Sequence, residues 1–600
     1  MRRRTHLFTY LLFISLVSVS PLAAQSAAEF RDHPDIPKEW PREAVRAAHG
    51  MVTTDEALAS QAGVEILKRG GNAIDAAVAT AFALAVVEPA AGNIGGGGFM
   101  LVRLANGKTT FFDYREVAPG KATRDMYIKP DGKLDLEASV TGYKSVAVPG
   151  TVAGLALALK TNGTMKLGDV MRPAIRLAER GFPITEKLVR EFEEERSGLQ
   201  QFPTSRHIFL NDGKPYKVGD VLKQPELART LKRITKKGPA DFYQGETAQM
   251  LTRDMALNGG LITLEDLAQY KVKTREAVHA NYTIQGHKWE VISAPPPSSG
   301  GVAVIEALNM LQGVPLKGWD DPQSVHMVAE VMRRAFADRA AYLADPDFAN
   351  VPVAGLTDAC YAQELTVTID PTMASPSSEV KAGNPHVCSK GVSAGGGSIR
   401  AIVSLGEGPH TTHFSVVDKA GNAVASTTTL NDSYGSHVTC SAGFLLNDEM
   451  DDFTTQPGVP NALFGLIQSE ANAIGPGKRP LSSMTPTILL KDGELSFVTG
   501  SPGGPRIISA TLLTIVNWMR LGMDAQSAIN APRFHHQWLP DYILMEKLFS
   551  PEMEEQMKAR GYEVKRSGHI GLVNAIGIDA KTKERCGAAD PRDDGSAVGY

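Results

Sequence analysis

The sequence predicts an α/β fold in which layers of helices cover layers of hairpin strands. Two pairs of β-rich runs, at 99–114 and 411–430, are each interrupted by one short turn, a pattern typical of antiparallel hairpins. Helical patterns flank these pairs, at 53–87 before the first and at 502–518 after the second. The periodicity predicts the type of each element and leaves the order of the layers open.

Length, composition and charge restrict the class of protein. The chain has 600 residues, more than one domain usually contains, so we expect two lobes or one large layered domain. Hydrophobic residues make up 43% and charged residues 21%, as in soluble globular proteins. The net charge is −4 and the sequence has no long basic run, which argues against nucleic acid as a partner.

The N-terminus has the pattern of a secretory signal peptide. Arginines follow Met1, an apolar run extends from Leu7 to Val19, and small residues precede and include Ala24. The apolar run has about 13 residues, fewer than the roughly 20 that span a bilayer. We therefore expect removal of 1–24, export to the periplasm or the medium, and no stable membrane span. A retained membrane anchor is the alternative.

The first part of the chain is predicted to contain two helices and a hairpin. Residues 53–56 cap a helix that extends to Lys68, and a second, Ala-rich helix covers 72–87. The second helix is apolar on nearly all sides, so it should be buried. The glycines at 92–98 follow a helix and open the strands at 99–114, so they do not match a dinucleotide-binding motif. A phosphate-binding loop requires a Lys-Ser or Lys-Thr pair directly after its glycines, and Phe99-Met100 stand there instead.

The middle of the chain is predicted to be mainly helical up to a loose leader. Amphipathic helices occupy 149–258, and a long helix covers 322–343. Residues 370–410 are rich in Pro, Ser and Gly, and we expect this leader to be mobile.

Strands are predicted from 411 to 498, followed by helices at 502–518 and 551–560 and two final strands. The cysteines do not have the spacing of a zinc or thioredoxin-like motif. In an exported protein they can pair in three ways: the four are Cys360, Cys388, Cys440 and Cys586.

The second hairpin begins abruptly at Thr411, directly after the leader. Pairing of its strands across the turn signal at 419–422 places Thr411 opposite Leu430, to within one residue. Thr429 and Asn431 are therefore expected beside Thr411.

A threonine that opens a strand after a leader has a specific chemical use. If the chain is cut before Thr411, the new α-amine titrates near ~8 and is partly neutral at physiological pH. The amine can then take the proton of the Thr411 hydroxyl, which is a recognised way to activate a nucleophile. From this residue alone, an ordinary β-branched strand residue is the commoner interpretation.

Residues 411–418, Thr-Thr-His-Phe-Ser-Val-Val-Asp, resemble the start of the small subunit of the γ-glutamyltranspeptidases, which are N-terminal nucleophile hydrolases. The resemblance extends from about Ala48 to Tyr600. It includes further motifs in the same order, at 92–100, 113–116, 295–301, 447–453, 479–484, 500–504 and 532–537.

The resemblance implies a four-layer α/β/β/α sandwich and a precursor that cuts itself between His410 and Thr411. The products would be a large subunit, 25–410, and a small subunit, 411–600. It implies no metal or organic cofactor.

The resemblance also assigns the candidate site residues. Arg115, Ser482 and Ser483 match the residues that hold the α-carboxylate of a γ-glutamyl group, for which a guanidinium is well shaped. Thr429 resembles the residue that hydrogen-bonds the nucleophile. Without the resemblance, Arg115 would be interpreted as a surface residue paired with Glu116.

A second set of matched residues would bind the α-ammonium and the developing oxyanion. Asn431, Glu449 and Asp452 match the ammonium site, and the family has Gln or Glu at the position of Glu449. Gly503 and Gly504 are predicted at a helix start, where backbone N–H groups are free, and they match the oxyanion hole.

Two features outside these sets also need interpretation. The histidines His413, His535 and His536 are interpreted as structural, because an N-terminal threonine carries its own base. Residues 460–465, Pro-Asn-Ala-Leu-Phe-Gly, resemble the family's lid loop, where many members have Tyr at the position of Phe464. The missing hydroxyl predicts a less firmly held lid.

The resemblance implies an exported γ-glutamyltransferase and glutathione hydrolase, which passes the γ-glutamyl group of glutathione to water, an amino acid or a dipeptide. A glutaryl-β-lactam (cephalosporin) acylase of the same fold is the alternative. A glutaryl group has no α-ammonium, so a retained Asp452 favours γ-glutamyl substrates. A binding protein that never matures is a third possibility, but such a protein has no use for Thr411, Thr429 and an oxyanion hole.

Overall fold

The computed structural model describes residues 36–388 and 411–600, and two seven-stranded sheets form its centre. The signal peptide predicted at 1–24 and His410 lie outside the described residues. Sheet 1 contains, in spatial order, Ser596–Gly599, Met51–Thr54, Thr411–Val417, Ala423–Thr429, Gly97–Arg103, Thr109–Asp113 and Lys273–Arg275. Sheet 2 contains Val45–Ala47, Arg585–Ala589, Asn574–Ile578, Glu494–Thr499, Thr487–Lys491, His287–Ser293 and Val278–Ile284.

The two sheets pack face to face, and helices cover both outer faces. Along one strand, Phe414 and Val416 belong to the core under the first helix layer, whereas Val417 belongs to the core between the sheets. This alternation follows from the period of two in a strand. In sheet 2, Leu489 faces the second helix layer and Ile488 faces the other sheet. The predicted α/β fold and the four-layer α/β/β/α order implied by the resemblance are confirmed.

The helices divide between the two outer layers according to the core to which they contribute. Those that share a core with sheet 1 are Ala57–Lys68, Ala73–Val87, Thr151–Asn162, Leu167–Val170, Arg172–Arg180, Glu186–Glu194, Arg196–Leu199, Pro203–Phe209, Pro225–Lys237, Ala240–Gln244, Glu246–Leu257 and Leu264–Gln269. Those that share a core with sheet 2 are Gly300–Met310, Pro322–Tyr342, Val353–Leu356, Ala359–Thr366, Arg506–Met519, Ala525–Asn530 and Pro551–Ala559. Smaller elements are the helix Leu136–Val140, a three-stranded sheet of Phe534–His535, Ile543–Glu546 and Val564–Ser567, and the pair Phe182–Pro183 and Val221–Leu222.

The predicted Ala-rich helix is present at Ala73–Val87, and every residue in it is buried. Asn72 caps this helix, and the Asp75 carboxylate bonds back to the Asn72 N–H, so both sides of a capping box are formed. The glycines at 92–98 lead into the strand Gly97–Arg103, as predicted.

The register of the second hairpin differs by one residue from the prediction. Val417, rather than Asp418, pairs with Ala423, and Thr411 therefore pairs with Thr429 rather than with Leu430. The cause is Asp418, whose carboxylate accepts hydrogen bonds from backbone N–H groups across its own turn. It also accepts one from the Ala73 N–H at the start of the buried helix. Asp418 therefore belongs to the turn.

The sequence analysis predicted strands from 411 to 498, and this prediction is wrong for 430–486. Within these residues the structure has loops, isolated bridges and two 3-10 helices, Glu449–Asp452 and Glu470–Asn472. The β-rich pattern resumes only at Thr487–Lys491. Acidic, Pro and Gly residues interrupt the segment, and five of the ten candidate site residues come from it: Asn431, Glu449, Asp452, Ser482 and Ser483.

The part of the predicted mobile leader at 370–388 is attached to the folded protein. The Ser377 N–H donates to the Asp541 carboxylate at 2.7 Å, and a disulfide joins Cys360 to Cys388. Cys440 and Cys586 are buried and free. Residues 389–410 lie outside the described residues. None of the helices in the described ranges is long and apolar enough to cross a membrane.

Candidate active site

Thr411 and Thr429 lie opposite each other at the end of the hairpin, and their side chains are hydrogen-bonded. The Thr411 hydroxyl donates to the Thr429 Oγ at 3.1 Å, and the Asn431 N–H donates to the same oxygen at 2.9 Å. Both threonines are buried. The expected proximity of Thr429 to the candidate nucleophile is therefore observed, and the interaction holds the Thr411 side chain in one orientation.

Thr411 opens into a narrow cavity between the two sheets and the loops of 430–486. The structure brings nine of the sequence-predicted site residues to this cavity: Arg115, Thr411, Thr429, Asn431, Glu449, Asp452, Ser482, Ser483 and Gly504. Gly503 precedes Gly504 and does not line the cavity. The remaining lining side chains are Phe464, Leu466, Met484 and Ile507.

Arg115 is the electrostatic centre of the cavity. Its guanidinium pairs with Glu449, and with Asp452 at 2.5 Å, while Glu116 lies 3.7 Å away. Its Nε donates to the Pro480 carbonyl at 3.2 Å. Arg115 is 1% exposed, so the surface ion pair suggested by the sequence alone is wrong.

Three carboxyl groups around one guanidinium leave an excess of negative charge when all are ionised. Burial raises the pKa of Glu449 well above its usual value, although Arg115 opposes this effect. Burial also raises the pKa of Glu116 to about 7. A protonated Glu449 resembles glutamine in shape and charge, which agrees with the Gln or Glu that the resemblance implies at this position.

The loop that carries Glu449 is held against the end of the hairpin. Asn431 has a positive φ of 84°, a conformation that Asn adopts more readily than most residues. Its Nδ2 donates to the Asp448 carbonyl at 3.3 Å. Asn447 ties the same loop to the glycine segment, because its Nδ2 donates to the Gly95 carbonyl at 2.8 Å. The ammonium-site candidates thus lie on a braced loop.

Ser482 and Ser483 also line the cavity, next to the Pro480 and Leu481 carbonyls to which Arg115 donates. The Ser482 Oγ accepts a hydrogen bond from the Met484 N–H at 3.1 Å. The Ser483 Oγ accepts one from the guanidinium of Arg339 at 3.2 Å. Each serine oxygen therefore accepts one hydrogen bond, and its O–H group remains able to donate a hydrogen bond to a ligand.

Gly503 and Gly504 occupy positive φ values of 126° and 55°, which side-chain-bearing residues rarely adopt. The helix begins later than predicted, at Arg506, and Pro505 is its cap. No described residue accepts a hydrogen bond from either glycine N–H. A Cβ on Gly504 would lie 2.5 Å from the Phe464 ring, so glycine is required where the lid covers the cavity.

The segment predicted to be the lid, 460–465, is held through its backbone at Phe464. The Phe464 carbonyl accepts a hydrogen bond from the Gln537 side chain at 3.1 Å, and the ring covers Gly504. This backbone contact does not require a tyrosine hydroxyl at position 464.

Asp451 anchors the other end of the lid. Its carboxylate accepts hydrogen bonds from the Asn461 side chain at 3.2 Å, and from the N–H groups of Ala462 at 3.4 Å and Leu463 at 3.2 Å. It also accepts one from the Ser139 hydroxyl at 2.7 Å. Burial raises the pKa of Asp451 to about 6.

We expect the KM for a donor substrate to rise as the pH falls through about 6. Every partner of Asp451 is a donor, so protonation removes an acceptor from the lid anchor; above this pH the carboxylate is ionised and the anchor is complete. Asp451→Asn should have a raised KM and no step near this pH. Ser139→Ala removes a bond that lowers the pKa, so its step should move to higher pH. Initial rates between pH 5 and 9 measure this, and an unchanged step in Asp451→Asn would contradict the assignment.

The histidines have structural partners outside the cavity. His413 lies two residues after Thr411 and bonds to the hydroxyls of Thr427 and Ser415, and burial lowers its pKa to about 3. His535 contacts the Ser509 hydroxyl, and His536 lies near Asp541. Within the described ranges, the groups with metal-ligand spacing both include Cys388, which is in a disulfide, and neither lies at the cavity.

Sequence reasoning missed three buried residues around the site: Glu116, Asp451 and Arg339. Glu116 and Asp451 lie inside motifs already identified, next to residues that were assigned roles. No local signal marks Arg339, because it is one of several charged residues in the long helix Pro322–Tyr342.

Comparisons with known proteins agree with this geometry. A family model described as Gamma-glutamyltranspeptidase matches residues 59–600. A glutathione hydrolase proenzyme of Pseudomonas sp. (strain A14) is 47% identical over 577 residues, covering 93% of this chain and 95% of that protein. One of Escherichia coli (strain K12) is 45% identical over 561 residues, covering 93% of each. The crystal structure of a cephalosporin acylase from Bacillus halodurans is 28% identical, with a TM-score of 0.80, covering 94% of this chain and 99% of that chain.

Proposed function

Because this chain belongs to the γ-glutamyltranspeptidase family, we propose that Thr411 is the nucleophile of an exported γ-glutamyltransferase and glutathione hydrolase. One observation carries the proposal: the Thr411 hydroxyl, bonded to Thr429, opens into a cavity that has one guanidinium, two hydroxyls and carboxyl groups. These groups complement both charges of an α-amino acid. The signal-peptide pattern at 1–24 supports export.

The precursor first cuts itself. The Thr411 Oγ attacks the carbonyl carbon of His410, the C–N bond between the two residues breaks, and the released amine takes a proton. Water then hydrolyses the resulting ester, which leaves a His410 carboxylate and a free Thr411 amine. The strand Thr411–Val417 lies between Met51–Thr54 and Ala423–Thr429, so antiparallel pairing keeps the large subunit, 25–410, attached to the small subunit, 411–600.

The mature enzyme then transfers the γ-glutamyl group in two steps. The Thr411 amine takes the hydroxyl proton as Oγ attacks the γ-carbonyl, and the N–H groups of Gly503 and Gly504 stabilise the oxyanion. The amide bond breaks, and its nitrogen leaves with a proton as the amine of the released dipeptide. Water or an amino acid or dipeptide amine attacks the γ-glutamyl ester and restores the hydroxyl.

The substrate zwitterion fits between the existing charges. Arg115 binds the α-carboxylate together with Ser482 and Ser483. Asp452 binds the α-ammonium together with Asn431 and Glu449. Since the substrate adds one charge of each sign, the cavity gains a partner for Arg115 and another for Asp452 without changing its net charge.

The likeness to a cephalosporin acylase structure favours one alternative, cleavage of glutaryl amides. A glutaryl group would fill the carboxylate subsite and leave the ammonium subsite empty. The acidic groups there would lose water on substrate entry and gain no cation, which is unfavourable in a buried site. Asp452 therefore supports γ-glutamyl specificity.

The purified enzyme is expected to turn over a γ-glutamyl anilide with a kcat/KM at least about 100-fold higher than a glutaryl anilide, the order expected for an unpaired buried charge. Asp452→Asn should reduce this ratio, because the ammonium loses its charged partner. Initial rates on the two anilides measure it. An equal or higher rate on the glutaryl compound would exclude the γ-glutamyl assignment.

A further inference from the structure

Arg339 is a buried guanidinium beside the substrate cavity that lacks an ionic partner. It is 2% exposed and belongs to the helix Pro322–Tyr342. Its Nη1 has no hydrogen-bond partner, and none of the carboxylates in the described ranges pairs with it. Arg333 and Arg334 on the same helix instead share the Glu330 carboxylate.

A buried charge without a counter-ion is unfavourable, so its presence calls for a source of negative charge. Burial lowers the pKa of Arg339 to about 10, and Asp452 acts in the opposite direction. Arg339 is therefore still a cation at neutral pH. Asp452 makes no ion pair with Arg339, and a ligand carboxylate in the cavity would add to the negative charge that Asp452 supplies.

The contacts of Arg339 lead to both candidate carboxylate-binding serines. Its Nη2 donates to the Ser483 Oγ at 3.2 Å. Its Nε donates to the Ser299 Oγ at 2.9 Å, and the Ser299 hydroxyl donates to the Ser482 carbonyl at 2.7 Å. One guanidinium is thus connected to both serines, directly to one and through Ser299 to the other.

These contacts also give a role to the 295–301 motif, which the reaction itself does not use. The Ser298 hydroxyl donates to the Met484 carbonyl at 2.6 Å, and the Ser299 N–H donates to the Ser482 carbonyl at 2.7 Å. The motif braces the serine loop from behind. Gly300 is close-packed against Thr485, which leaves no room for a side chain.

The two serine oxygens each accept a hydrogen bond from the protein, which leaves their protons available to donate. The Ser483 oxygen already accepts from Arg339, and the Ser482 oxygen accepts from the Met484 N–H. Each O–H group is left to donate into the cavity, where an acceptor such as a carboxylate is the complementary partner.

We propose that Arg339 is a positioning residue for the α-carboxylate of the γ-glutamyl donor, which it serves by orienting the Ser483 hydroxyl and by adding a second positive charge behind the serine pair. This inference rests on the proposed γ-glutamyl function. Arg115 contacts the ligand directly, and Arg339 acts through Ser483.

The test uses donors with and without the α-carboxylate: γ-glutamyl-p-nitroanilide and 4-aminobutyryl-p-nitroanilide. Arg339→Met should raise KM for the first at least about tenfold, as expected for loss of a charge-assisted hydrogen bond, with a smaller change in kcat. It should leave the kinetics on the second donor unchanged. Arg339→Lys should recover part of the loss, because it restores the charge. Arg339→Gln keeps a donor without charge and separates the two contributions.

A double-mutant cycle with Ser483→Ala tests the route of action. If Arg339 acts in part through Ser483, Arg339→Met should raise KM by a smaller factor in the Ser483→Ala background than in the parent, and the remaining factor measures the contribution of its charge. Arg520→Met is the matched control, because that half-buried arginine donates only to backbone carbonyls away from the cavity. Intact mass shows whether each variant has been cut before Thr411.

Equal losses on both donors, or an unchanged KM in Arg339→Met and Arg339→Gln, would overturn the proposal. If Arg339→Met is not cut before Thr411, the KM values of Arg339→Lys and Arg339→Gln for the two donors test the proposal instead. Failure of the proposed function looks different: the parent protein would then show no preference for γ-glutamyl over glutaryl anilide. A parent with that preference, together with unaffected Arg339 variants, would contradict only the positioning role.

Discussion

Thr411→Ala is expected to remain a single uncut chain and to lose turnover of γ-glutamyl donors by at least about 10⁴-fold, as when other nucleophiles are removed. Alanine has no oxygen to attack the His410 carbonyl, so no ester can form. The Thr429 oxygen also loses the hydroxyl that lies 3.1 Å from it. Intact-mass analysis and a γ-glutamyl anilide assay on the same preparation measure both effects.

Two matched variants make the Thr411 experiment specific. Thr411→Ser keeps a hydroxyl and should still cut. Thr412→Ala removes the neighbouring hydroxyl, which bonds to the Asp55 carboxylate at 2.9 Å rather than to Thr429, and this variant should also cut. Two fragments from Thr411→Ala, or an uncut parent protein, would place the cleavage chemistry elsewhere.

Arg115→Met is expected to lower the free energy of unfolding by about 3–5 kcal/mol, the range for breaking a buried ion pair. Arg115 is the guanidinium shared by Glu449, Asp452 and Glu116, and methionine leaves their charges uncompensated. The same variant loses the group that would bind the substrate carboxylate, so KM should rise by at least about 100-fold. Denaturant unfolding and initial rates measure the two effects.

The pH dependence distinguishes this mechanism from a simple loss of packing. Burial raises the pKa of Glu116 to about 7 even with Arg115 present, and Arg115 opposes that rise. In Arg115→Met the pKa should be higher still. A group with a raised folded-state pKa favours the folded state at low pH, and this contribution is lost as the pH rises. The stability deficit of the variant should therefore be smaller at pH 6 than at pH 8.

A double variant provides the control for Arg115. Arg115→Met combined with Glu449→Gln has one fewer ionisable group in the cavity, so it should recover part of the lost stability and keep the raised KM. Arg115→Lys retains the charge without the fork-shaped donors and should lose binding more than stability. A stability deficit of Arg115→Met that does not change with pH would contradict the electrostatic explanation.

The local sequence was sufficient for elements whose own residues determine them. The buried helix was predicted at 72–87 and is observed at Ala73–Val87, because its own Ala-rich residues determine it; Asn72 is its cap. The hairpin was also evident from its turn residues and β-rich runs, but its register was not. Asp418 joins the turn because its carboxylate also bonds to the Ala73 N–H, 345 residues away in the chain. A contact of that range has no sequence signal.

The site shows the same division. The motif order and the strand start at Thr411 were enough to identify the candidate nucleophile, its partner Thr429 and the family. The environment of Arg115 was not visible, because its ion-pair partners Glu449 and Asp452 lie more than 300 positions later in the chain. The raised pKa of Glu449 depends on burial, which is a property of the assembled cavity.

By itself, the sequence determined the α/β class, the hairpin that starts at Thr411, the order of the motifs and the chemistry available to each side chain. These depend on neighbouring residues and on side-chain type. Only the tertiary structure decided which charges meet, that Asp451 anchors the lid, and that Arg339 lies buried behind Ser483 without a counter-ion. The physical reason is that burial and long-range pairing set the electrostatic energy of a group, and both exist only once distant segments have packed together.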